Sequence, residues 1–119
     1  MKNTDIIKKN YQFKYFLKKG TYISGKFLEV FVINEQKGNK LGIAVGKKAG
    51  KSVQRNQIKR YIRAAYTELE EKIKENIGIL IIWKKNNTFE DANYFDIKND
   101  LEKILKKREL IRWKQFLSN

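Results

Sequence analysis

The 119-residue chain has no cysteine, no histidine and no proline. Without cysteine there is no disulfide framework and no thiolate metal site, and nothing points to an oxidising compartment, so a cytoplasmic setting is expected. Without histidine the commonest general base and metal ligand is missing too. No apolar run approaches the roughly 18 residues that a membrane-spanning helix needs, and the N-terminus has no signal-peptide core. The acids are few, and Glu68, Glu70, Glu71 and Glu75 on one side and Glu90, Asp91, Asp96 and Asp100 on the other suit solvated faces and helix caps. A two-metal nuclease would need carboxylates that converge. No catalytic residue and no metal site is therefore expected on this chain.

What remains is cationic. Twenty-seven lysines and arginines against 13 acids leave a net charge of +14, a self-repulsion that makes sense with a polyanionic partner. Abundant lysine, isoleucine and asparagine without proline resembles the coding bias of an AT-rich genome, so lysine count alone carries limited weight. The length and a 41% hydrophobic content fit one folded domain over residues 1–119. Within it, residues 1–9 read as an N-terminal arm and residues 108–119 as an extension of unassigned role.

The chain is organised around residues 46–66, GKKAGKSVQRNQIKRYIRAAY, which contain no acid at all. Lys47, Lys48 and Lys51 fall in a glycine-rich loop, and a helix is expected from Gln54, with Ile58, Ile62, Ala65 and Leu69 as its apolar stripe. At about 100° per residue, Arg55, Lys59 and Arg63 stack along one line and Asn56 and Arg60 along the next. Only five of the 27 basic residues are arginine, and three of the five sit here. In a chain that otherwise uses lysine, the planar five-donor guanidinium marks phosphate contact or stacking. Cations lead and acids trail along this helix, against the macrodipole, at a cost of about 0.3–1 kcal/mol per charge at low salt. An anion docked at the N-terminal end would offset that cost.

The flanking elements read as follows. A short helix over residues 11–19, capped by Asn10 and ended by Gly20 in a left-handed conformation, puts Phe13, Phe16 and Leu17 on one face. That face suits core packing as well as it suits binding. Residues 26–34 form a strand with Leu28, Val30 and Val32 inward and Glu29 and Phe31 on the wetter side. An exposed aromatic there could stack on single-stranded bases at ~1–3 kcal/mol each. A hairpin-type connection over residues 35–40 leads to a strand over residues 41–46, whose second face carries only Gly42, Ala44 and Gly46 and so admits close approach. Residues 77–83, IGILIIW, read as a central strand covered on both faces. A last helix, capped by Asp91, Asn93 or Asp96, buries Ile97, Leu101, Ile104 and Leu105. The tail, with Arg108, Arg112, Trp113 and Phe116, either prolongs that helix or docks separately. The order α-β-β-β-α-β-α describes a two-layer α+β sandwich with helices packed on one sheet.

Gly50, Val53, Arg55, Asn56, Ile58, Lys59, Arg60, Ile62 and Arg63, in this order, resemble the basic-helix motif of the bacterial ribonuclease P protein subunit. The likeness extends over about residues 6–107. It departs at Gln57, where the family usually has arginine, and after Lys107. The resemblance implies a fold similar to the second domain of the fifth small-subunit ribosomal protein, with a left-handed βαβ crossover. It also implies a large catalytic RNA as partner, in a 1:1 complex that removes the 5′ leader of precursor tRNA, with Mg²⁺ held mainly by the RNA. On that likeness Lys47, Lys48, Lys51, Arg55, Asn56, Lys59, Arg60 and Arg63 would face RNA, and Phe13, Phe16 and Phe31 would line a cleft for the leader. The alternative carried by charge alone is a non-catalytic ribosomal-type or general RNA-binding protein, and a DNA-reading helix lacks the paired short helix it would need.

Overall fold

The computed structural model describes residues 4–34 and 36–111. Its elements run β1 (Thr4–Ile6), α1 (Asn10–Lys19), β2 (Thr21–Ser24), β3 (Leu28–Ile33), β4 (Asn39–Ala44), a 3₁₀ turn (Lys47–Ala49), α2 (Ser52–Leu69), β5 (Gly78–Trp83) and α3 (Tyr94–Lys107). The expected order is present, with one strand added: the N-terminal arm pairs in parallel with β4, Ile6 opposite Leu41. Tyr66 and Thr4 share a hydroxyl hydrogen bond of 3.0 Å, and Thr4 Oγ1 donates to Glu70 at 2.6 Å, so the arm is tied to the end of α2.

The five strands are ordered β1-β4-β5-β3-β2. β5, the last of the five in sequence among the described residues, inserts between β3 and β4, antiparallel to the first and parallel to the second. The expected hairpin across residues 35–40 is therefore a bridge over the start of β5, and the hairpin of this sheet is β2–β3. The most apolar run takes the centre because both its faces can be buried there. Asparagines hold the bridge. Asn76, at φ 62°, accepts from Gln36 N through its carbonyl and from Gly38 N through its side chain, while buried Asn39 accepts from Ile77 N at 2.9 Å.

Strand alternation divides the core in two. Leu28, Val30 and Val32 of β3, Leu41 of β4 and Ile79, Ile81 and Trp83 of β5 are buried in one cluster with Ile58, Ile62, Ala65, Tyr66 and Leu69 of α2 and Ile97, Leu101, Ile104 and Leu105 of α3. This is the two-layer sandwich. On the opposite face Ile7, Phe16 and Leu80 form a second, smaller cluster under α1, with Phe13, Phe31, Ile33 and Ile82 around it. α1 covers only one end of that face.

Local devices differ from expectation in three places. Gln12, rather than Asn10, caps α1, its side-chain oxygen accepting from Lys8 N and Lys9 N. Gly20 is extended, at φ −74°, and is required by space: a Cβ would stand 2.6 Å from the Phe16 carbonyl oxygen. Asp100 is buried rather than solvated, and its carboxylate accepts from Lys26, Phe27 and Leu28 N at 2.8, 2.9 and 3.0 Å, fixing the β2–β3 turn to α3. The cap of α3 is Asn93, which accepts from Asp96 N. After Lys107 the chain leaves the helix, with Leu110 and Ile111 buried and Ile111 bridging to Ile73. Arg112, Trp113 and Phe116 lie outside the described residues.

Candidate nucleic-acid interface

α2 starts one residue after Lys51, preceded by the 3₁₀ turn that carries Lys47 and Lys48. The Gln54 side chain folds back to accept from Lys51 N at 2.9 Å, and Gly50, at φ 150°, leaves room for it: a Cβ there would meet Gln54 Oε1 at 2.3 Å. Loop and helix are thus locked to each other by one glutamine and one glycine. The helix then faces two ways, as its spacing requires. Ile58 and Ile62 are fully buried, whereas Lys47, Lys48, Lys51, Asn56, Arg60 and Arg63 are exposed and Arg55 and Lys59 half-buried. No acid occupies its first turn and no base its last. Among the described residues none of these seven cations has an ion-pair partner, and the buried Nε of Arg55 has no hydrogen-bond partner.

The cationic strip runs into a groove on the α1 side of the sheet. A cavity of about 350 Å³ is lined by Asn10, Phe13 and Leu17 of α1, by Ile43, Ala44 and Val45 at the end of β4, by Leu80 and Ile82 of β5, and by Lys59. The small face of β4 makes this possible, since a Cβ on Gly42 would touch the Phe13 ring at 3.2 Å. Through Ala44 and Ile82 the groove continues into a second cavity of about 370 Å³, walled by Lys47, Lys48, Lys84 and Lys85. Apolar floor and cationic walls alternate along the path, the combination that single-stranded nucleic acid needs.

The three expected cleft aromatics are placed unequally. Phe31 is half-buried on the open side, as strand parity requires, and Phe13 is half-buried on the groove wall. Phe16 is 2% exposed, and its ring fills the space over Gly78, so it anchors α1 to the sheet. One further aromatic was not singled out from the sequence: Tyr22, 46% exposed, packs its ring on Phe31 at 5.2 Å between centroids. β2 is a four-residue strand without a strong pattern of its own, and only its pairing with β3 brings Tyr22 opposite Phe31. Lys84 and Lys85 likewise enter the groove through the fold.

No helix is long and apolar enough to cross a membrane among the described residues. The family model described as Ribonuclease P matches residues 1–109. The ribonuclease P protein component of Alkaliphilus oremlandii is 36% identical over 112 residues, covering 93% of this chain and 96% of that protein. That of Clostridium botulinum strain 657 is 37% identical over 103 residues, with coverages of 85% and 91%. Among solved structures, the RNase P protein of Staphylococcus aureus superposes with a TM-score of 0.77 at 33% identity, over 90% of this chain and 97% of that one. The RNase P protein of Thermotoga maritima, at 24% identity and a TM-score of 0.76 over 87% and 96% of the two chains, shares the fold. A basic helix beside an apolar groove suits any RNA-binding protein, and it is these relatives that decide against a general one: the chain belongs to the ribonuclease P protein family and is a protein component of ribonuclease P.

Proposed function

We propose that this protein binds the catalytic RNA of ribonuclease P through the strip on α2 and its preceding loop, and holds the single-stranded 5′ leader of precursor tRNA in the groove between α1 and the sheet. The observation that carries the reading is the junction of the two at Lys59, which belongs to the strip and lines the groove. The RNA performs the cleavage, and the protein contributes position and charge. Five to eight phosphates neutralised by the strip would give affinity a salt slope of about −0.7 per contact on single strands and −0.9 on duplex. Phe13 and Phe31 supply faces on which leader bases stack, which separates leader-bearing substrate from leaderless product. The Mg²⁺ of the reaction belongs, on this reading, mainly to the RNA. The complex is taken as one protein per RNA, working in the cytoplasm.

The test is cleavage of a precursor tRNA at low Mg²⁺ by a bacterial ribonuclease P RNA, with the protein added and omitted, beside the protein alone. Correct 5′ cleavage restored only by the two together is the expected result. Cleavage by the protein alone, or no rescue despite tight RNA binding, would overturn the reading.

A further inference from the structure

At Lys84 and Lys85 the groove does not end. Residues opposite one another in register form a row across four strands, Gly42, Leu80, Phe31 and Tyr22, spanning three strand spacings or roughly 14 Å. The adjacent row carries Ile82 opposite Glu29. Here a carboxylate stands in a path otherwise walled by lysines. The Tyr22 hydroxyl donates to Glu29 Oε2 at 2.6 Å, and Glu29 is in no ion pair among the described residues. The pair lines a cavity of about 360 Å³ with Lys84, Lys85 and Asn86, and the two lysines also wall the cavity next to it. The hydrogen bond to Glu29 is the largest of the effects that together raise the Tyr22 pKa, so the phenol remains the donor at neutral pH.

A carboxylate repels phosphate, so chain crossing this point gains nothing from Glu29 unless it turns a base toward it. With one oxygen held by Tyr22, the carboxylate offers only acceptors, and the Tyr22 ring beside it, tilted 54° to Phe31, offers a separate stacking face. Unpaired bases are read on their Watson–Crick edges. Guanine presents two donors side by side there, N1–H and the N2 amino group. Uracil presents one donor between two carbonyl oxygens, which a carboxylate repels. We infer that Tyr22 and Glu29 form a base-reading subsite at the far end of the groove, selecting guanine and rejecting uracil at one unpaired leader position, while Lys84 and Lys85 hold the flanking phosphates. This rests on the groove being the leader path.

The experiment uses the holoenzyme assembled with a bacterial ribonuclease P RNA and a set of precursors in which each leader position is in turn G, A, C or U. The readout is the ratio of kcat/KM between bases at each position, for the native protein, Glu29→Gln and Tyr22→Phe. The amide of Glu29→Gln can still accept from Tyr22 but also donates, so the local fold is kept while the edge preference changes. The expected result is a G-over-U preference of about tenfold at one position, collapsing toward unity in Glu29→Gln and weakening in Tyr22→Phe, with the other positions unmoved. Native ratios that are flat at every position, or a preference that survives Glu29→Gln, would overturn the subsite. Competitive binding of leader-bearing and leaderless tRNA to the holoenzyme carrying Phe13→Ala with Phe31→Ala separates the two claims: if that variant retains full discrimination, the groove itself is not the leader path.

Discussion

β5 offers the same kind of side chain to both faces of the sheet, and the two faces use it differently. Ile79, Ile81 and Trp83 are sealed beneath α2 and α3, all at 2% exposure or less. Leu80 and Ile82 turn toward α1, where the cover is short and Ile82 stays half-exposed in the groove. One face spends its apolar surface on stability, while the other keeps some open for a ligand. A core buried on one side is what allows a sheet of this size to leave an apolar groove uncovered on the other.

The largest way to break that contrast is Trp83→Ala, expected to cost ~3–5 kcal/mol of unfolding free energy, read by denaturant titration. A loss no larger than that of Ile82→Ala would show the faces to be equivalent. Next is the open face: Phe13→Ala with Phe31→Ala should remove roughly 1–3 kcal/mol per stacked base from the preference for leader-bearing tRNA, measured by competitive binding with circular dichroism unchanged. Third, Arg60→Ala with Arg63→Ala should lower the salt slope of RNA affinity by about 1.4–1.8, with stability moving no more than ~0.5 kcal/mol, since both side chains are exposed and in no ion pair among the described residues. A smaller change in the other direction is expected from Gln57→Arg, which adds about one contact to the slope.

The smallest effect sharpens the sealed side. Burial pushes the Tyr66 pKa up, the Thr4 hydrogen bond pulls it down and the charge of Glu70 adds to the rise, for a net increase. A folded pKa above the unfolded value of about 10 means that this stabilisation is complete below about pH 10 and is lost as pH climbs through the folded pKa. Unfolding titrations between about pH 9 and pH 11.5 should therefore show an alkaline decline that Tyr66→Phe flattens.

Much of this was legible in the residues because it rests on local repetition. The spacing of Ile58, Ile62, Ala65 and Leu69 sets which side of α2 is buried and hence where Arg60 and Arg63 stand, and the alternation of Leu28 to Ile33 places Phe31 on the open side. The sealing of Phe16 was not legible, since Phe13 and Phe16 share one apolar face of α1 and only the empty space over Gly78 distinguishes them. Asp100 read as a surface acid because its three partners lie more than seventy residues earlier in the chain.

From its sequence alone the protein had its cationic character, its acid-free loop and helix, its lack of cysteine and histidine, and the inward faces of α2, α3 and β3. These follow from composition and from periods of two and 3.6 residues, which act within a single element. Tertiary structure decided that β5 enters between β3 and β4, that Lys59 reaches the groove, and that Tyr22 and Glu29 stand beside Phe31. Strand pairing joins segments far apart in the chain, and its register is set by which faces can be buried together.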